Sequence, residues 1–285
     1  MFWFYLVHII WKPNNNEGTR MNATLWKNPG DHNWFGVWTL YMREVRRFTK
    51  IYTQTMLAPV VTTLLFLAVF SLVIEPRTES VVGGVPFLEF LVPGLIMMAI
   101  AQNAFGNTSS SIVVAKIQGN IVDTLMPPFS ADELTLAIAL GGATRGIAVG
   151  LSVAVAMSFF VPIHLHNVGF IVFHGFMASL MLSLLGLMGG IWSVKFDHIA
   201  AVTNFVVTPL SFLSGTFYSI QRLPELAQTI AHFNPFFYMI DGFRYGFIGA
   251  SDTEPMHGLA VMTGINITLW LICRHMFKIG YKLRA

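Results

Sequence analysis

Six apolar runs, each near the length of a bilayer crossing, leave this sequence few folds to choose from. They cover about residues 55–74, 90–112, 134–161, 168–192, 199–218 and 257–273. A helix needs about 20 mostly apolar residues to cross a hydrocarbon core of about 30 Å. In lipid its backbone must be hydrogen-bonded within the segment itself. Only 11% of the 285 residues are charged and 54% are hydrophobic, whereas about a quarter are charged in a soluble domain. The polar side chains are too few to cover a water-facing surface. The expected fold is therefore all-α, a polytopic membrane protein with six transmembrane helices. The single Cys273 excludes an intramolecular disulfide and a multi-cysteine metal site.

Lys and Arg give the orientation, because cytosolic connections retain them. With six spans both termini share a side. That side holds Lys12, Arg20, Lys27, Arg43, Arg46, Arg47, Lys50, Lys116, Lys195, Arg274, Lys278, Lys282 and Arg284. The other side holds Arg77, Arg222 and Arg244. Both termini are expected in the cytosol. The net charge of +3 reflects this bias, and no basic and aromatic stripe points to nucleic acid.

Residues 1–33 read as an N-terminal extension outside the membrane domain, which takes up 34–285. The opening apolar run is too short to span, lacks signal-peptide features, and leaves Met21 as an alternative start. An interfacial anchor is the other use of that run. After it, Trp34, Val37, Tyr41, Val45, Phe48 and Tyr52 share one helical face, and Arg43, Arg46, Arg47 and Lys50 share another. Glu44 is the one charge out of place. Such a helix lies in the membrane plane, cations among headgroups; the simpler alternative is a basic flank that only sets topology.

The connection "GNIVDTLMPPFSADELT" (119–135) holds more than a turn requires. Ile121, Val122, Leu125 and Met126 give a short apolar ridge. Pro127 and Pro128 end that helix, since proline lacks the N–H and clashes with the preceding turn. Ser130 to Glu133 is a capping box that starts the third span. An exposed apolar ridge with a polar rim marks a partner surface.

Other candidates sit within or between the spans. Arg145 lies about a dozen residues into the third span, where a central Arg costs about 2.5–3.5 kcal/mol on insertion scales. It either binds an anionic group or hydrogen-bonds between helices. Asn103, Asn107 and Ser110 form a polar face on the second span that lines a pathway or bridges helices. Between the fifth and sixth spans, Pro224 and the Asn234-Pro235 break define two short helices read as a re-entrant hairpin, either gate or plug. Asp241 and Arg244, three residues apart, are placed to pair. His164, His166 and His174 lack a carboxylate or cysteine to complete a metal site.

These features together resemble the membrane subunits of ABC exporters of the ABC-2 type, small six-span half-permeases in particular. The resemblance covers roughly residue 37 to the C-terminus. It rests on the basic helix, "FLVPGLIMM" (90–98), the 119–135 connection, and "FLSGTFYSIQRLPELAQTIAHFNPFFYMIDGFRYGF" (212–247). It implies that Ile121, Val122, Asp123, Leu125, Met126, Pro127 and Pro128 dock on a separate cytosolic ATPase, with 193–200 a secondary contact. It implies two ATPase copies carrying ATP and Mg, a second copy of the permease, lipid around it, and no cofactor on this chain. The cargo it implies is large and amphipathic: drug, lipid or lipid-linked glycan. The sequence contains no Gly-Lys dipeptide and so no phosphate loop, which agrees with a motor on another polypeptide. A secondary transporter is the rival reading, but such carriers keep carboxylates or histidines as mid-bilayer relays. Here the acids fall at span ends and in connections. A membrane-embedded transferase has no paired His, Asp or Cys constellation to support it.

Overall fold

The computed structural model describes residues 33–73 and 84–283. The N-terminal extension, its alternative start, and Arg77 and Arg284 lie outside the described residues. Helix α1 covers Trp34–Thr49, and a π-helical turn at Thr53–Leu57 runs into α2, Ala58–Val73. Then follow α3 (Phe87–Ile117), α4 (Ile121–Leu125), α5 (Ala131–Ser158) and α6 (Val168–Trp192). A second π-helical turn separates α7 (Phe196–Val202) from α8 (Thr208–Leu213). The chain closes with α9 (Glu225–His232), α10 (Pro235–Ile248) and α11 (Pro255–Ile279). No strand occurs among the described residues.

Among the described residues six stretches are long and apolar enough to span: Thr53–Val73, Phe87–Ile117, Ala131–Ser158, Val168–Trp192, Phe196–Leu213 and Pro255–Ile279. The expected polytopic all-α fold is the one observed. Differences fall at the ends and have local causes. The fifth stretch stops at Leu213 rather than near 218, because Gly215 adopts φ +77° and turns the chain. The sixth runs past Cys273 because Arg274 and Lys278 continue the same helix beyond the apolar run.

Helix α3 is the centre of the bundle, packed between α5 and α6. Of its most apolar stretch 78% is buried, against 11% for the first and fifth spans. The difference separates an internal strut from helices whose apolar sides face outward. Small residues permit the close approach. A Cβ at Gly186 would meet the backbone of Phe105, and one at Gly146 would meet Ala104 and Ser179. Hydroxyls then bond across the seams: Thr108 Oγ1 donates to Ser183 O (2.7 Å), Ser183 Oγ to Ala139 O (2.7 Å), and Ser179 Oγ to Ala143 O (2.8 Å).

The hydrogen bonds define two ends. At the first, Lys116 Nζ donates to Ile191 O and Ser193 O, and Arg274 pairs with Asp132 at 3.0 Å. The C-terminal ends of α3, α6 and α11 thus meet the start of α5, where Ser130 and Glu133 form the expected capping box. At the second end, His166 N and Asn167 N donate to Phe247 O and Gly246 O, joining the start of α6 to the close of α10.

Candidate coupling and transport sites

Gly119, with φ +74°, turns the chain sharply out of α3, and α4 begins after Asn120. The expected ridge is divided. Ile121 is buried and Leu125 half-buried against the core, while Val122, Asp123, Met126, Pro127 and Pro128 are exposed. A five-residue helix cannot hold its own shape, so one side must anchor it. Only Val122 and Met126, four residues apart, are left as the outward apolar pair.

Beside α4 lies α1, packed on α5. Its buried residues are Val37, Leu40, Glu44 and Phe48, while Trp34, Trp38 and Tyr52 stay exposed. The helix therefore has three faces where the sequence shows two: one on the bundle, one apolar and outward, and one cationic. Glu44 sits at the centre of the first. Its carboxylate takes Ser111 Oγ at 2.9 Å and pairs with Arg43 and Arg47, each at 3.2 Å. A Cβ at Gly141 would come within 2.5 Å of Glu44 Cβ, so α5 needs glycine there. Arg43 Nη1 also donates to Thr124 Oγ1 (2.9 Å), joining α1 to α4. Arg46 and Lys50 remain exposed.

The polar face of α3 is shared between two cations. Arg47 donates to Asn107 O, Asn107 Oδ1 and Ser110 Oγ. Arg145 Nη2 donates to Asn103 Oδ1 at 3.3 Å, and its buried Nε has no partner. Asn107 and Ser110 are thus committed to α1. Asn103 and Arg145 line a cleft of about 350 Å³ between the first span, α3 and α5, with Gln54, Thr62, Met98 and Gln102. Among the residues lining it, Arg145 alone is charged.

At the second end the Asn-Pro break proves to be a helix start. Asn234 Oδ1 accepts from Phe236 N, while its Nδ2 donates to Leu210 O and Ser214 Oγ (2.7 Å). Pro235 takes the first helical position, where its missing N–H costs nothing. Pro224 precedes α9 as its N-cap rather than entering its first turn. Helix α10 is mostly buried along α6, whereas Leu226, Ile230 and Phe233 of the α9 region are exposed. Asp241 and Arg244 are both buried but do not pair as their spacing suggests. Asp241 accepts from Ser251 Oγ, Asp252 N, Thr253 N and Thr253 Oγ1. Arg244 donates to Gly215 O (2.7 Å) and Phe90 O (3.3 Å), its guanidinium 3.7 Å above the Phe90 ring. Asp241 is taken up by the 251–253 turn, and Arg244 by the Gly215 turn and by α3.

Asp252, Gln54 and Thr62 escape the sequence reading, and Glu44 stands out there only as a charge out of place. Glu44 carries a signal, an acid three residues before an Arg on an otherwise cationic helix. Asp252 carries none: it holds Ser219 Oγ (2.6 Å) and Ile220 N (3.0 Å), residues far away in the chain. Gln54 and Thr62 reach the cleft only through the packing of the first span. The three histidines part company. His164 lies 3.9 Å from Glu89, His166 packs against Tyr245, and His174 donates from Nδ1 to Phe170 O.

A family model described as ABC-2 type transporter matches residues 36–248. Curated relatives include the protein named inner membrane transport permease YadH from Escherichia coli strain K12. It is 36% identical over 252 residues, which is 88% of this chain and 98% of the relative. The protein of the same name from Shigella flexneri gives the same identity and coverage. The match includes α1, the 119–135 connection and the second-end segment through α10. The chain belongs to the ABC-2 type transporter family, as a multi-span transport permease.

Proposed function

We propose that this chain is the membrane half of a bacterial inner-membrane exporter driven by a separate cytosolic ATPase. The ATPase docks on Val122, Asp123, Met126, Pro127 and Pro128, with the 193–200 connection beside it. Two permease copies and two ATPase copies make the working unit. The first end faces the cytosol, α1 lies along the membrane plane, and α9 with the start of α10 forms a re-entrant gate. ATP and Mg belong to the ATPase, and the cargo is large and amphipathic. The observation that carries this reading is the short α4 itself. It is anchored by Ile121 and Thr124, stopped by two prolines, and open on its remaining side.

The connections of α4 show how a push would travel. Gly119 joins it to α3, the Ser130 cap joins it to α5, and Arg43 ties it to α1. Helix α3 has 31 residues, a rod of about 46 Å at 1.5 Å per residue. Its far turn meets the second end, where Phe90 O accepts from Arg244 and Gly94 abuts Thr216. Displacement at α4 therefore reaches the outer segment through one packed element.

Reconstitution tests the proposal. Vesicles holding the permease and its ATPase should accumulate an amphipathic fluorescent cargo only with ATP, and a Walker-lysine variant of the ATPase should abolish accumulation. Transport by the permease alone, driven by an ion gradient, would establish the secondary-transporter reading instead.

A further inference from the structure

From Arg145 and its surroundings we infer a binding site for an amphipathic anion, a phosphate or carboxylate head bearing an apolar tail. The proposal deepens the transport reading and rests on it only for treating the ligand as cargo. Arg145 is the fifteenth residue of the 28-residue α5, one turn beyond Gly141, where Glu44 of α1 packs, and beside Thr144, which bonds Tyr41 of α1. An anion held there lies between the first span, α3 and α5.

The cleft has the chemistry for such a ligand. A guanidinium presents a planar fork matched to phosphate and carboxylate oxygens. Here it spends one weak bond on neutral Asn103, leaves Nε without a partner, and meets no carboxylate in the lining. Gln54, Thr62 and Gln102 add neutral polar groups, while Ile51, Pro59 and Met98 supply apolar wall. The volume, about 350 Å³, falls within the roughly 300–1,000 Å³ of small-molecule sites. A second rung lies one turn along α3. Arg47 rests on Asn107 as Arg145 rests on Asn103, so two cation–asparagine pairs lead from the first end into the membrane.

Full-length chain in neutral lipid nanodiscs, without ATPase, is titrated with dodecyl phosphate, dodecyl phosphocholine and inorganic phosphate. Dodecyl phosphate should bind at least about tenfold tighter than the other two, a difference well outside titration error. Arg145→Gln should lose that preference, and Arg145→Lys should keep the preference but bind at least about threefold more weakly, since the charge stays and the planar fork is lost. Thr62→Trp fills the cleft from the first span without touching the charge, and should also abolish binding. It carries the test if Arg145→Gln does not fold. Unchanged binding in Arg145→Gln or Thr62→Trp would overturn the site, and equal binding of inorganic phosphate would overturn its amphipathic ligand. Because no ATPase is present, these outcomes are independent of whether α4 docks one.

Discussion

The two ends of α3 are held by different chemistry. At the α4 end the ties are long charged side chains: Arg43 and Arg47 on Glu44, Lys116 on the close of α6, Arg274 on Asp132. Most of these are half-exposed, so each contributes little and is weakened by salt. At the other end Asp241 and Arg244 are buried and Asp252 half-buried, and all three hold backbone. Asp241 holds the 251–253 turn, Asp252 holds Ile220, and Arg244 holds Gly215 and Phe90. Removing one of those leaves a buried donor or acceptor unpaired, which is the costly case. The contrast separates an end whose contacts can re-form from an end whose contacts resist, as the proposed coupling through α4 requires.

The sharpest way to break this contrast is at Asp241. Asp241→Ala should lower stability by about 2 kcal/mol, since two part-buried backbone N–H groups and two hydroxyls lose their acceptor. Thermal unfolding of the purified chain in mild detergent reads this. A loss as small as that of a surface variant would remove the distinction between the ends. Gly141→Val should cost about 2 kcal/mol by overpacking against Glu44. It should also expose α1 to proteolysis in its connection to the first span. Glu44→Gln keeps the shape but loses charge, and should cost about 1 kcal/mol with a loss that shrinks as salt rises. The smallest effect on stability belongs to Val122→Asp combined with Met126→Asp, within about 0.5 kcal/mol because both side chains are exposed. That variant should nonetheless lower recovery of the ATPase in co-purification at least about tenfold, a loss of some 1.4 kcal/mol in binding. Leu125→Asp is the poorer probe, since Leu125 packs on the core and its loss confounds docking with folding.

The sequence and the structure agree most closely where a local rule decides. Apolar length alone marks the six spans, Ser130 and Glu133 announce the start of α5, and Pro127-Pro128 announces the end of α4. Agreement fails where a distant partner decides. The apolar positions of α1 have one period whether they face bundle or lipid, so only packing against Gly141 shows that Glu44 faces inward. Asp241 and Arg244 are close in the chain, yet their partners lie in loops 10 to 12 residues away for one and in α3 and Gly215 for the other. Arg145 is conspicuous as a lone cation within a span. The cleft around it depends on how the first span lies across α3, which no stretch of sequence contains.

Site-directed labelling at Met126 asks whether α4 is the element a motor engages. In a Met126→Cys chain, with buried Cys273 changed to Ser, a membrane-impermeant maleimide is applied to sealed vesicles of known orientation. Labelling should occur only from the cytosolic face and should be suppressed by bound ATPase. Labelling from the outer face, or labelling that the ATPase leaves unchanged, would contradict the assignment of α4 as the point where the motor engages the membrane bundle.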